Sequence, residues 1–189
     1  FLTDVKENPK EKMHRSKKYL NLINFKIKAD NSIGIKLTSG EIQWAKEELK
    51  NMKLEFPMAL FPFSVASSRS IPNKKIKEWL NGSNQSVLVL GSKEDATLAN
   101  SLIDECAGIK LFNLCGKYSM RESMALISVC QFALASDSGL GHISASLGIP
   151  TISFFGAGDS KMTKPIGKRT FVINKDVYCS PCRKNVCMN

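Results

Sequence analysis

From residue 57 onward, short apolar runs alternate with helix-like stretches, a rhythm that few architectures can satisfy. "MALFP" is an apolar strand closed by Pro62, followed by a polar loop and the helical "NKKIKEWLNG". "SVLVLG" is apolar without alternation, as a strand covered on both faces of its sheet must be. It leads through "SKED" to a helix ending near Cys106 and Gly108, and then to a third strand, "IKLFNL". "SMRESMALISVC" opens with Ser119 and Glu122 at capping-box spacing, where each side chain satisfies an orphan backbone N–H of the other. "FALAS", "PTISFFG" and "TFVINK" complete the series. Strands and helices of these lengths predict an α/β fold with a Rossmann-like, doubly wound parallel sheet over residues 57–189. Residues 1–56 read as a helical lead-in. There "EKMHRSKKYLNLINF" strings Met13, Tyr19, Leu20, Leu22 and Ile23 along a loosely amphipathic helix, and "SIGIKL" reads as a short extended piece. "TSGEIQWAKEELKNM" then starts behind a second capping box, Thr38 and Glu41.

Charge and cysteine usage narrow the partners. The 27 Lys and Arg against 17 Asp and Glu leave a net charge of +10, which favours anionic ligands or surfaces. No basic stripe interleaves with aromatics, so nucleic acid is not an expected partner. No apolar run reaches the roughly 18 residues of a membrane helix; "MALISVCQFALAS" is interrupted by Gln131 and reads as a helix running into a strand. The start at Phe1 and the ending "CMN" read as a piece of a longer protein. Cys106, Cys115 and Cys130 stand singly among apolar residues, as buried reduced thiols of a cytoplasmic protein do. Cys179, Cys182 and Cys187 in "CSPCRKNVC" have metal-like spacing but are one ligand short of a structural zinc site. Zinc, a disulfide and reduced thiols all remain open for them.

In open parallel sheets ligands gather outside the carboxyl ends of the strands. The loops at that edge are "FSVASSRS", "GSKED", "CGKYS", "SDSGLGH" and "GAGDSKMTKP". "DSGLGH", residues 137–142, admits three chemistries. A serine hydrolase would need G-x-S-x-G at this turn, and Asp137 adjoins Ser138 instead of orienting His142. A dinucleotide loop would need a third glycine where Ser144 stands, and would follow the first strand, not the fourth. "GAGDSKMT" lacks the glycine-lysine pair of a phosphate loop. An anion site fits better. Asp137 and Ser138 are N-cap types, Gly139 permits close backbone approach, and the free N–H groups of a first helical turn attract phosphate. His142, one turn in, can donate to a phosphate oxygen. Asp137 would repel phosphate but accepts strongly from sugar hydroxyls. An anion site beside a hydroxyl-reading acid points to a nucleotide sugar; Asp-Ser-Gly used only as a helix cap is the alternative.

"SDSGLGHISASLGIPTISFFGAGD", followed by "KP" and then "CSPC", resembles the signature of glycosyltransferase family 9, the ADP-heptose:lipopolysaccharide heptosyltransferases and their relatives. Ser138 stands where the family usually has threonine, which keeps the hydroxyl, and "FGAGD" replaces Phe-Gly-Pro-Thr-Asp. "LFPFSVASSRSIPNKKIKEWL" is similar to the family's phosphate-binding stretch, with Phe63 for glycine, Arg69 for lysine and Ile71 for tryptophan. The resemblance implies a GT-B type enzyme of which this chain is the C-terminal, donor-binding domain plus linker. It implies that Asp137 contacts the donor sugar, that Ser138, Gly139 and His142 hold the diphosphate, and that Arg69 and Ser64 reach phosphate. Glu94 or Asp95 would hold ribose hydroxyls, and the backbone near Tyr118 would edge the adenine. It further implies inverting transfer from an ADP-heptose-like donor to an anionic lipid A/core acceptor, with no cofactor or metal required. The setting would be the cytoplasm, with peripheral association at the inner face of the inner membrane. The catalytic base would lie in an N-terminal domain and none in this chain, so the chain alone is expected to bind donor without transferring it. A non-catalytic nucleotide-sugar-binding module and another GT-B enzyme, such as a sugar-nucleotide epimerase, are the competing readings.

Overall fold

A computed structural model describes residues 12–22, 34–175 and 177–187. Six strands form one sheet: β1 (Met58–Phe61), β2 (Val87–Val89), β3 (Leu111–Asn113), β4 (Ala133–Ser136), β5 (Thr151–Phe155) and β6 (Thr170–Asn174). Their order is β3-β2-β1-β4-β5-β6 and every pairing is parallel. The α/β, Rossmann-like fold expected from the sequence is therefore the fold observed. Helices α3 (Asn73–Leu80), α4 (Ala96–Glu105), α5 (Met120–Ser128) and α6 (Gly139–Ser146) fill the crossovers, and α7 (Ser160–Thr163) is a single turn after β5.

The unbroken apolar strands are explained by two cores, one on each sheet face. Met58, Leu60, Val87, Val89 and Leu134 point to the side of α3 and α4, where Ile76, Leu80 and Leu102 close over them. Ala59, Phe61, Leu88, Ala133 and Ala135 point to the other side, against Ala125 and Leu126 of α5. Successive residues of one strand serve opposite cores because side chains alternate across a sheet. Helix α2 (Ser39–Asn51) sends Ala45 and Leu49 into the α5 core, so this part of the lead-in is packed on the sheet unit. Both expected capping boxes are formed, Thr38 with Glu41 at α2 and Ser119 with Glu122 at α5.

The lead-in departs from its pattern. Helix α1 spans Arg15–Leu22 and buries no residue; Tyr19 and Leu22 are exposed. Ile23 lies outside the described residues, as do Ser32 and Ile33 of "SIGIKL". Residues 34–38 carry no strand, and Ile35 instead donates its N–H to Ser146 at the end of α6. Cys106, Cys115 and Cys130 are buried and form no disulfide; burial pushes the Cys115 and Cys130 thiols up to about 12. No helix among the described residues is long and apolar enough to cross a membrane.

Candidate functional site

The strand order reverses between β1 and β4: from β1 the chain winds outward to β2 and β3, and from β4 to β5 and β6. Loops leaving these neighbouring strands diverge and open a crevice at their carboxyl ends. Hydrogen bonds tie its two lips together. Ser136 Oγ donates to the Phe63 carbonyl at 3.0 Å, and Ser64 Oγ to the Asp137 carbonyl at 3.4 Å. Ser64 N–H is itself held by Ser70 Oγ at 3.0 Å, which folds the loop back so that the 3₁₀ turn Ser67–Arg69 faces β4.

Two cavities meet at Ser138 and Gly139. One, of about 560 Å³, is lined by Arg69, Asp137, Ser138, Gly139 and His142, with Arg15, Asp159 and Arg183 on its further walls. The other, of about 820 Å³, runs past Ser64, Glu94, Asp95 and Tyr118. All nine ligand-contact candidates named from the sequence thus line one of two adjoining spaces. They come from loops after β1, β2, β3 and β4, far apart in the chain.

Ser138 sits at the N-cap of α6 in extended conformation, yet its side chain makes no capping hydrogen bond. Its Oγ is buried without a partner, and so is Arg69 Nε; the remaining such atom among the described residues, Ser153 Oγ, belongs to β5. A buried, unpaired polar group costs of the order of 1–3 kcal/mol, and groups in this state at a cavity wall are suited to a ligand. The first turn of α6 adds N–H groups that no side chain caps. Gly139 has open space where a Cβ would stand, whereas a Cβ at Gly158 would displace the Asp137 carboxylate from its present position.

The electrostatics have opposing parts. Arg69 Nε lies 3.7 Å from Asp137 Oδ2, an ion pair too long to be a hydrogen bond. Burial raises the Asp137 carboxyl above its ordinary value, against the pull of Arg69, His142 and Arg15. Burial also lowers the His142 imidazole, against the pull of Asp137. Burial thus favours the neutral imidazole, which keeps one ring N–H to donate. Taken together, the walls can neutralise an anion at the start of α6 and accept hydroxyl protons at Asp137.

In the second cavity the acids differ. Asp95 is already engaged, accepting from Ser92 N–H at 2.8 Å and Ser92 Oγ at 2.9 Å, while Glu94 is exposed. Tyr118 turns its hydroxyl away to Glu48 at 2.7 Å and sets its ring edge-on to Trp44, leaving ring and backbone at the cavity wall. Burial and the Glu48 hydrogen bond push its hydroxyl up to about 12.

Cys179, Cys182 and Cys187 all lie on the segment 177–187. No group of three or more His, Cys, Asp or Glu able to hold a metal ion occurs among the described residues. Residues 177–187 are fastened at separate points along their length. Ser180 Oγ donates to the Gly156 carbonyl and Arg183 N–H to Ala157 on one side; Ser68 N–H donates to Asn185 on the other. Cys182 and Cys187 remain exposed, and no disulfide joins any of the three.

Sequence reasoning passed over Arg183, Asp159, His14 and Arg15, which also line the first cavity. Asp159 and Arg183 stood inside or beside quoted motifs, "GAGD" and "CSPC", so proximity to those motifs was a usable signal. His14 and Arg15 carried none.

Residues 41–189 match the sequence model of glycosyltransferase family 9 (heptosyltransferase). Lipopolysaccharide heptosyltransferase 1 of Pseudomonas aeruginosa is 30% identical over 81 residues, which are 43% of this chain and 23% of that protein. The chain thus spans about a quarter of the length of that curated relative. The glycosyl transferase family 9 structure from Veillonella parvula superimposes with a TM-score of 0.81 over 97% of this chain and 56% of its own, at 16% identity. An Escherichia coli heptosyltransferase solved with ADP does so with a TM-score of 0.57 over 70% of this chain and 42% of its own, at 20% identity. At such identities the two structures establish a shared fold, and it is the match over residues 41–189 that carries the assignment: this chain belongs to glycosyltransferase family 9.

Proposed function

We propose that this chain is the donor-binding half of an inverting heptosyltransferase of lipopolysaccharide core biosynthesis, and that its ligand is an ADP-heptose-like nucleotide sugar. The observation that carries this reading is the pair of buried atoms without a hydrogen-bond partner, Ser138 Oγ and Arg69 Nε, beside an uncapped helix start. The nucleoside occupies the cavity of Glu94, Asp95 and Tyr118, the diphosphate crosses at Ser138 and Gly139, and the sugar enters the cavity of Asp137. The ADP in the related E. coli structure favours the adenine nucleotide.

In transfer, an acceptor hydroxyl displaces the nucleoside diphosphate at the anomeric carbon. Charge builds on the departing phosphate oxygens, and the N–H groups of α6, the Arg69 guanidinium and the His142 ring N–H stabilise it. These groups supply that neutralisation without a metal ion. Asp137 holds the sugar by its hydroxyls. Its buried carboxylate beside Arg69 serves orientation, and the acceptor's general base lies outside these residues. The acceptor is an anionic lipid A/core saccharide, met at the inner face of the inner membrane.

Calorimetry of the chain with ADP-heptose, other ADP-sugars and UDP-sugars tests the assignment. Tightest binding of ADP-heptose is expected, with Asp137→Ala and His142→Ala each weakening it. Binding of none of the panel, or unchanged affinity in both variants, would show the site to be misassigned. Rapid heptosyl transfer by the 189-residue chain with acceptor supplied would refute the division of labour.

A further inference from the structure

Residues 177–187 cross above the carboxyl end of β4, from the loop after β5 to the loop after β1. On the β5 side Ser180 Oγ donates to the Gly156 carbonyl at 2.7 Å, and Arg183 N–H to the Ala157 carbonyl at 2.8 Å. On the β1 side Ser68 N–H and Ser67 Oγ both donate to the Asn185 carbonyl, at 3.1 and 3.3 Å, and Ser68 Oγ donates to Lys184 O. β4 lies between β1 and β5 in the sheet, so the segment straps two loops together over the start of α6.

The strap brings one charged side chain to the first cavity, Arg183. Its backbone has φ +56°, a left-handed conformation that a side chain bearing Cβ adopts at a cost. Its Nη2 donates to Asp159 Oδ2 at 2.7 Å and reaches Met162 Sδ at 3.0 Å. Asp159 is held in turn: its side chain is 7% exposed and also accepts Lys161 N–H at the start of α7. A buried carboxylate therefore aims the guanidinium while Nε and Nη1 remain uncommitted. The Arg183 side chain itself is 51% exposed, so the buried Asp159 carboxylate fixes its direction while its remaining N–H groups stay accessible from the cavity.

We infer that Arg183 is a further ligand-binding residue, whose free guanidinium N–H groups take the sugar-side phosphate of the bound nucleoside diphosphate. This rests on the nucleotide-sugar reading of the site. The choice of phosphate follows from the two cavities. Arg183 lines only the sugar-side space, and the nucleoside lies beyond Ser138 and Gly139 in the other. The nucleoside-side phosphate falls to the junction at the start of α6, where Ser138 and Gly139 face both spaces, while Arg69 and Arg183 face the sugar-side space alone. Asp159 is a positioning residue, because it acts through Arg183.

Calorimetry of the chain with ADP and AMP is the test. Arg183→Ala should weaken ADP by about 10- to 100-fold, the worth of a hydrogen bond to a charged group, while AMP changes less than about twofold, so that the ADP preference collapses. Arg183→Lys, which keeps the charge but not the fork, should restore part of that preference. Both variants are checked for a cooperative thermal transition, and Arg183→Lys carries the test if Arg183→Ala does not fold. Equal weakening of ADP and AMP would reveal strap disorder and overturn the inference, as would an unchanged ADP preference in either folded variant. Wild-type chain that binds no ADP would overturn the nucleotide reading and this inference with it; wild-type binding with Arg183→Ala unaffected would overturn this inference alone.

Discussion

Helices α5 and α6 each begin behind a serine in extended conformation, Ser119 at φ −61°, ψ 166° and Ser138 at φ −143°, ψ 162°. Ser119 accepts the Glu122 N–H, and the Glu122 carboxylate returns to the Ser119 N–H at 2.8 Å, closing the box. Ser138 accepts nothing, and its Oγ is buried with no partner. Three residues on from Ser138 stands Gly141, where a Cβ would come within 2.9 Å of Ala135 Cβ, so the helix lies too close to β4 for a glutamate there. One serine completes a helix; the other leaves a helix start open at a cavity. The difference teaches that an unsatisfied cap, more than a cap-type residue, marks a ligand position.

Five substitutions, two of them followed across pH, put that contrast at risk. The largest effect is expected for Arg69→Ala, whose Nε is the other buried atom without a hydrogen-bond partner at the open helix start. ADP affinity should fall about 10- to 100-fold, measured by calorimetry, and an unchanged affinity would remove Arg69 from the site. Next come the two serines. Ser119→Ala should cost about 1 kcal/mol of stability in a denaturant titration and leave ADP affinity alone. Ser138→Ala should do the reverse, with stability within about 0.5 kcal/mol of wild type and ADP binding weakened several-fold, on the order of 1 kcal/mol. If both serines cost the same stability, Ser138 is a cap after all and the contrast fails.

The smallest effects are in pH. The Asp137 pKa is raised in the folded chain, so its ionised form costs stability above that pKa, and the cost is relieved as pH falls through it. Asp137→Asn should therefore gain stability over wild type at neutral pH and lose the advantage in acid, followed by thermal melting across pH. His142 has the opposite dependence. Its folded pKa lies below the ordinary imidazole value of 6.5, so stability is lost as pH falls below 6.5 toward the folded value. His142→Gln should flatten that part of the profile; an unaltered slope would mean that another group is responsible.

Much of this molecule is readable from local pattern. β1 and β2 are near-continuous apolar runs because each residue meets one of two cores, and Thr38-x-x-Glu41 and Ser119-x-x-Glu122 mark helix starts because capping is a contact between residues three apart. Arg69, Asp137, Ser138 and His142 were nameable from the loops at the strand ends, with a family resemblance to supply their roles. Other features had no local signal. Tyr118 gave no hint that its hydroxyl would turn to Glu48, 70 residues away in the chain. The spacing of Cys179, Cys182 and Cys187 gave no hint that their segment would tie the loop after β5 to the loop after β1.

By itself the sequence determined the parallel α/β sheet, the helix starts and the family, since all are carried by periodicity and short spacings that survive without three-dimensional information. Tertiary structure alone decided that Ser138 does not cap its helix, that Arg69 comes within 3.7 Å of Asp137, and that Arg183 reaches the same cavity on a strap tied to two distant loops. The physical reason is the range of the interactions. Caps and strand faces are settled by neighbours within a few residues, whereas an unpaired buried donor exists only because distant segments close around it and none of them offers an acceptor.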